Sequence, residues 1–366
     1  MKRRTALQLI GASSLSAALP LNAACQSLDK EKLGIALVGL GGYATQQLAP
    51  ALEQAKHCYL AGIVTGTPQK AKEWKVKYNI PDENIYNYDN FDTIAQNDAI
   101  DVIYVVLPNF MHAEYTIRAF KAGKHVICEK PMGMNVEECK AMLAAQKRSG
   151  KSLQIGYRLY YEPVHLGVKD LGAKQKLGKV KMIESSLGFR MARPGIWRMN
   201  LKEGGGGAIM DLGVYCIQAA RRMVGELPKT VLARGYEGDK KLFKDIYESM
   251  YFQMEFPSGS ISNTSTSFNA YVDRFHAACE QGWLELEPAF NARQKPNLNL
   301  NSEEKITFPE QQYDFQQVAQ MDAFALNVKD NTEVVASGEE GLIDLQIIEA
   351  IKASAERGKV LDVDYS

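Results

Sequence analysis

Apolar residues in the first half of the chain fall in short unbroken runs, each closed by glycine, proline or asparagine. "GIALVGLGG", "CYLAGIVTG", "IDVIYVVLPN", "KHVICEKP" and "SLQIGY" are such runs. They fit strands buried on both faces, as in a parallel sheet. Between them the apolar spacing becomes helical. "MHAEYTIRAFKAG" ends at Gly123, a C-terminal cap. "NVEECKAMLAAQKRSG" opens with Asn135 and Glu138 in capping-box spacing and closes at Gly150. Strands alternating with helices predict a doubly wound parallel sheet. From about Gly156 the pattern changes. "KVKMIESSLGF", "ESMYFQMEF" and "GSISNTSTSF" alternate apolar and polar positions, as strands with one wet face do. The late stretch "GEEGLIDLQIIEAIKASAERG" reads as a core-packing helix.

The first run leads into chemistry. Ile35 to Val38 is followed by Gly39-Leu40-Gly41-Gly42-Tyr43-Ala44, a G-x-G-x-x-A turn before a helix. Gly39 permits the sharp turn, Gly41 lets the backbone approach a pyrophosphate, and Ala44 permits close helix–strand packing. The following helix would point its N–H groups at the phosphates. This is a dinucleotide-binding Rossmann pattern, placed over residues 29–155. NAD binders usually carry Asp or Glu at the end of the second strand. Here Thr65, Gly66 and Thr67 take that place, Pro68 is a first helical residue, and Lys70 falls in the first turn. Hydroxyls, a free helix N-terminus and a lysine suit a 2′-phosphate, so NADP is expected rather than NAD. A capping threonine and a solvated lysine would explain the same residues.

Composition and charge remove several function classes. The 366 residues contain 43 Lys plus Arg and 43 Asp plus Glu, so no overall basic field draws nucleic acid or anionic lipid. Ala6 to Ala24 is rich in Ser, Gly, Asn and Gln, too polar for a stable membrane span. With Arg3 and Arg4 before it, residues 1–28 read as a twin-arginine export signal, giving a periplasmic protein that folds before it leaves the cytoplasm. "LNAAC" ending at Cys25 is the lesser, lipoprotein alternative. Cys58, Cys128, Cys139, Cys216 and Cys279 show no C-x-x-C spacing and read as buried small hydrophobes, with no disulfide framework and no metal site.

Two later stretches carry chemical groups. In "KAGKHVICEKPMG", Lys130 follows a parallel strand at the end where doubly wound folds place ligands, and Pro131 admits a cis peptide before it. In "GGGGAIMDLGVYCIQAARRMVG", four glycines allow close approach, and Asp211 and Tyr215 stand at i, i+4 on one expected helix face. An Asp beside a Tyr hydroxyl would orient it for proton transfer, with the Lys130 cation favouring the phenolate. A surface loop and a core tyrosine are the plainer readings of the two stretches taken alone.

Taken together, "VGLGGYA", "LPNFMHAEYTIRAFKAGKHVICEKPM", "IGYRLYYEP" and "GGGGAIMDLGVY" resemble the glucose–fructose oxidoreductase / inositol dehydrogenase / rhizopine-catabolism (Gfo/Idh/MocA) family across essentially the whole mature chain. Within the family the likeness is strongest to the glucose–fructose oxidoreductase branch, in the Thr65-Gly66 turn, the "NFD" stretch, the "GYRLYYEP" segment and Tyr215, which stands where most relatives carry His. The resemblance implies a C-terminal α+β domain over 156–366 with an open, mainly antiparallel sheet, serving substrate binding and assembly into a homodimer or homotetramer. It implies that Lys130 contacts nicotinamide ribose and substrate, that Tyr215 transfers the proton, and that Asp211 orients the substrate. Leu107, Pro108, Asn109, His112 and Glu129 would line the cofactor cleft. Arg158, Tyr161, Trp197 and Arg198 would lie near the nicotinamide and the sugar.

The activity implied is hydride transfer between tightly bound NADP and an aldose/carbonyl sugar pair. An exported enzyme would load its cofactor inside the cell and regenerate it in place. That branch carries a long arm before its first strand; here about ten residues follow Cys25, too few to reach far at ~3.3 Å each. Retention would then be weaker or differently arranged. Two rivals stay open: an exported NAD(P)-dependent glycoside hydrolase of the same superfamily, and a non-catalytic sugar or dinucleotide sensor.

Overall fold

The structure is a computed structural model, and it describes residues 30–302, 308, 310 and 312–366. The export-signal reading and Cys25 lie outside these residues. Six strands form the first sheet: β1 (Leu33–Val38), β2 (Cys58–Val64), β3 (Ile85–Tyr86), β4 (Val102–Val105), β5 (His125–Cys128) and β6 (Leu153–Ile155). All pair in parallel in the order β3-β2-β1-β4-β5-β6. The five apolar runs are β1, β2, β4, β5 and β6. The edge strand β3 has only two residues, too short to register as a pattern.

The second sheet has eight strands: β7 (Val180–Gly188), β8 (Thr230–Tyr236), β9 (Ser249–Glu255), β10 (Ile261–Ser267), β11 (Val272–Cys279), β12 (Gly282–Leu286), β13 (Leu298–Asn301) and β14 (Leu361–Asp362). Its order is β13-β12-β11-β7-β10-β9-β8-β14, antiparallel except for the β7–β10 pair. The alternation seen in β7, β9 and β10 becomes one buried and one wet face. The wet face exposes Met182, Leu232, Tyr251, Ile261 and Trp283.

Nine α-helices complete the described fold: α1 (Ala49–Gln54), α2 (Pro68–Tyr78), α3 (His112–Lys121), α4 (Val136–Ser149), α5 (Pro163–Ala173), α6 (Leu201–Gly204), α7 (Val214–Val224), α8 (Gln316–Asp330) and α9 (Gly338–Arg357). Their signals were partly legible. Gly150 closes α4 with φ +66°. Asn135 accepts from the Glu138 N–H at 2.8 Å, but the Glu138 carboxylate turns to the Met134 N–H at 2.9 Å rather than back to Asn135. The expected reciprocal box is therefore half made.

The strands divide at residue 155; the helices do not. α8 packs on α1 and β2, and α9 on α4, β6 and β8. Asp322 of α8 accepts the N–H groups of Lys56 and His57 at 2.8–3.0 Å where β2 begins. Ala336 accepts the Ile155 N–H at 2.8 Å. The chain's last helices thus finish the first sheet's layers as well as the second's.

The five cysteines from Cys58 onward are free thiols, four buried and Cys279 half-buried. Among the described residues no cluster of three His, Cys, Asp or Glu side chains is placed to hold a metal. No described helix is long and apolar enough to cross a membrane.

Imidazoles shielded from water, His125 and His165 here and His112 beside the cleft, set a pH limit on stability. His125 Nδ1 accepts the Ser152 N–H at 3.1 Å, which only a neutral ring can do, and His165 Nε2 donates to the Ala289 carbonyl at 2.8 Å. Burial lowers both pKa values from 6.5 to about 4. Above about pH 6.5 folded and unfolded chains are both neutral at these rings. Between about 6.5 and 4 the unfolded chain takes protons that the folded chain refuses, so stability falls with pH. The melting temperature is expected to drop across that window, and His125→Gln to flatten part of the drop. An identical pH slope in the variant assigns the loss to other groups.

Candidate active site

The strand order reverses between β1 and β4, and a cleft of about 1390 Å³ opens beyond the carboxyl ends of those strands. Its floor is the glycine turn. Gly39 holds φ +96°, and a Cβ there would meet the Val106 carbonyl oxygen at 2.6 Å. At Gly41 and Gly42 a Cβ would meet nothing within 4 Å, so this backbone borders open cleft. A π-helical turn, Ala44–Leu48, leads into α1. The Thr45 N–H bonds to the Gly41 carbonyl at 3.0 Å, leaving the turn's earlier N–H groups without an intrahelical partner. Leu40 and Tyr43 line the cleft; Ala44 does not, because it is fully buried against the sheet, so its part is packing rather than cofactor contact.

At one end of the cleft stand Thr65, Gly66, Thr67 and Lys70. Thr65 Oγ1 accepts the Thr67 N–H at 3.2 Å. Thr67 is the N-cap of α2 and Pro68 its first residue, but the Thr67 hydroxyl makes no capping bond. Lys70 Nζ reaches back to the Leu40 carbonyl at 3.1 Å. Tyr88, which no sequence signal marked, packs its ring on Gly66 and also lines the cleft. Hydroxyls, open N–H groups and a lysine without a carboxylate partner form a donor set suited to a phosphate.

At the other end β5 delivers Glu129 and Lys130, with a cis bond to Pro131. Lys130 Nζ donates to Asp211 Oδ1 at 2.8 Å and to the Asp211 carbonyl at 2.7 Å, which leaves one of its three N–H groups for a ligand. Arg198 Nε donates to Asp211 Oδ2 at 3.1 Å and stacks on Trp197. Burial alone would raise the Asp211 carboxyl; Lys130 and Arg198 outweigh it and bring it down to about 2. Asp211 is therefore charged at neutral pH. Glu129 moves the other way: burial pushes its carboxyl up, with the Tyr104 hydroxyl donating at 2.8 Å and the Lys130 N–H at 3.3 Å.

Tyr215 lines the same cleft, with Lys130 Nζ and the Arg158 guanidinium each 5.0 Å from its ring centroid. Two cations against one ring fix its orientation. Asp211 does not bond the Tyr215 hydroxyl as the i, i+4 reading expects. The reason is local: Ile209–Gly213 is a π-helical turn, which breaks the α-helical register before α7 begins, and both Asp211 oxygens are taken by cations.

Two further expectations are corrected. His112 does not touch the cleft. It is buried behind it, with Nδ1 against the Pro131 carbonyl at 2.8 Å and Nε2 against the Leu107 carbonyl at 2.9 Å. Burial holds its pKa down to about 4, so the ring is neutral, and its single N–H donates to one of these two carbonyls while the other ring nitrogen only packs against its neighbour. Tyr161 also faces away, its hydroxyl donating to Gln154 Oε1 at 2.6 Å. Pro108, Asn109, Arg158, Trp197 and Arg198 line the cleft as expected, and Asn109 bridges to the Gly204 carbonyl at 2.9 Å.

The individual residues of the cleft's far wall were not named from the sequence. Tyr271, Asp273, Glu287, Phe290 and Arg293 form it, from the entry to β11 and the segment after β12. Asp273 Oδ1 accepts the N–H groups of Ala289 and Phe290 at 2.9 and 2.7 Å. No periodicity or motif marks "EPAFNAR"; only the fold carries it to the glycine turn.

Comparison with known proteins agrees with this geometry. Residues 33–157 match the model of the GFO/IDH/MocA oxidoreductase family, NAD-binding Rossmann fold, and residues 165–285 its C-terminal domain. Aldose-aldose oxidoreductase from Caulobacter crescentus, solved with glycerol, is 36% identical and superposes with a TM-score of 0.87, over 90% of this chain and 99% of that one. The chain belongs to the GFO/IDH/MocA family. D-xylose 1-dehydrogenase [NADP(+)] of Haloarcula marismortui is 27% identical over 350 residues, 93% of this chain and 95% of its own. Levoglucosan dehydrogenase, solved with NADH and levoglucosan, shares the fold at 20% identity and a TM-score of 0.76, over 91% of this chain and 99% of that one. The family's two-domain plan accounts for both sheets and for the cleft between them.

Proposed function

We propose that the protein is an NADP-dependent sugar oxidoreductase that passes hydride between a held NADP and a pair of sugars, one donating and one accepting. One observation carries the reading: Lys130 and Arg198 hold the buried Asp211 carboxylate in an ion cluster beside Tyr215, in the same cleft as the glycine turn. Gly39–Gly42 would face the diphosphate, and Thr65, Thr67 and Lys70 the 2′-phosphate. When bound, NADP supplies and accepts the hydride. Lys130 then offers its remaining N–H to the reacting sugar oxygen. Tyr215 takes the hydroxyl proton as an alcohol carbon becomes a carbonyl, and returns it when a second carbonyl is reduced. Asp211, charged throughout, keeps Lys130 and Arg198 in place.

The NADP-dependent xylose dehydrogenase and the aldose-aldose oxidoreductase among the relatives support both the cofactor and an aldose substrate. The glucose–fructose pair itself rests on the likeness of Tyr215, the Thr65-Gly66 turn, the "NFD" stretch and the "GYRLYYEP" segment to that branch. Export through Arg3 and Arg4 to the periplasm, and assembly through the wet face of the second sheet, belong to the same proposal.

The test uses protein purified without added cofactor. One portion is denatured and its released dinucleotide identified; to another, single aldoses are added while the near-ultraviolet band of reduced nicotinamide is followed. NADP, reduced by an aldose and reoxidised by a second sugar, is expected. Lys70→Ala should weaken NADP binding by roughly tenfold or more and leave NAD binding unchanged, since it removes one charge-assisted bond. A protein that no aldose reduces, with or without supplied NADP, overturns the proposal.

A further inference from the structure

The segment after β12 does more than close the sugar end. Its base is pinned from three sides. Asp273 accepts its first N–H groups, at Ala289 and Phe290. Arg158 donates to the Phe290 carbonyl and to Gln316. His165 donates to the Ala289 carbonyl. From that base the chain crosses the cleft, and the guanidinium of Arg293 bonds the side chain of Gln46, in the first helical turn after the glycines. The second lobe therefore touches the phosphate-facing element of the first lobe directly.

The partners distinguish this contact from a structural bond. Gln46 is exposed and uncharged, and Arg293 is exposed. Of the cleft's five cations, Lys130 and Arg198 share the Asp211 carboxylate, and Arg158 is committed to the segment's base. Lys70 and Arg293 alone flank the glycine turn without a carboxylate partner among the described residues. A dinucleotide diphosphate would bring negative charge to a turn whose own groups are neutral N–H donors. A planar guanidinium is the side chain best matched to phosphate oxygens.

We infer that Phe290–Arg293 is a clasp that retains the dinucleotide, with Arg293 exchanging the Gln46 amide for the diphosphate. The inference rests on the dinucleotide reading above and goes beyond it: the cofactor is held by the sugar-binding lobe, so release requires the segment after β12 to lift.

The experiment measures NADPH dissociation by chasing bound NADPH with excess NADP and following its fluorescence, in full-length folded protein. Arg293→Ala should speed release by roughly tenfold or more, with the melting temperature of the dinucleotide-free protein unchanged, because Arg293 is exposed. Arg293→Lys, which keeps the charge but loses the planar fork, should restore part of the retention. Gln46→Ala, which removes only the resting partner, should leave release unchanged. Equal release rates in the wild type and Arg293→Ala overturn the clasp while leaving the dinucleotide reading intact. Release as fast in Gln46→Ala as in Arg293→Ala also overturns it, by assigning retention to the protein–protein bond. A wild-type protein that binds no NADPH overturns both readings.

Discussion

Lys130→Met is expected to lower kcat by roughly a thousand-fold, within the range a positioned proton-transfer or polarising group contributes. The variant keeps a similar stem length and removes the charge. Asp211 would then retain one cation, Arg198, in place of two. The sugar oxygen would lose the one N–H of Lys130 that the protein leaves unused, and the Tyr215 ring would lose one of its two cations. Tyr215→Phe is the sharper companion, because it deletes a single oxygen and keeps the ring between Lys130 and Arg158. It should lower kcat by about 10²–10⁴-fold with KM changed little, the signature of a contact made in the transition state. Both are read as single-turnover reduction of bound dinucleotide by an aldose. A Tyr215→Phe enzyme with near-normal kcat removes the hydroxyl from the proton path.

The second large effect is on stability. Arg221 on α7 is buried and donates to Asp344 at 2.7 Å and to Glu340 at 3.1 Å, both on α9. Gln218 donates to the other Asp344 oxygen at 2.6 Å, and the Tyr160 hydroxyl to Glu340 at 2.6 Å. Asp344 is wholly buried. Arg221→Met strands that carboxylate, and removing one partner of a buried pair costs about 3–5 kcal/mol. Replacing both, Arg221→Met with Asp344→Leu, should recover most of the loss, since an apolar pair of similar volume needs no desolvation. Urea midpoints of the wild type, the single and the double variant decide it. A single variant as stable as the wild type would mean that the pair contributes nothing. Arg221 lies six residues beyond Tyr215 on the same helix, about 9 Å along it, so folded variant should keep its kcat.

The legible parts of this fold are those where one local rule dominates. β1, the glycine turn and the absent acid after β2 are all readable, because a buried parallel strand, a positive-φ turn and a helix start each demand particular residues. Lys130, Asp211 and Tyr215 were placed in one cleft by family likeness; their pairing was not. The i, i+4 rule assumes an α-helix, and the π-helical turn at Ile209–Gly213 breaks that assumption without a sequence marker. His112 and Tyr161 were misplaced for a related reason. Both neighbour cleft residues in the chain, but their hydrogen bonds point to the far side of the wall. Arg293 and Asp273 were invisible because their role depends wholly on long-range closure.

The return of α8 and α9 to the first sheet has a consequence for the order of events during synthesis. The nucleotide half emerges from the ribosome first. Until α8 arrives, the N–H groups of Lys56 and His57 lack the carboxylate that receives them, and until Ala336 arrives so does the Ile155 N–H. Gln317 and Gln320 of α8 likewise supply the partners of the Tyr43 and Tyr104 hydroxyls. A nascent chain thus cannot complete these bonds of its nucleotide half until α8 and Ala336 have been made.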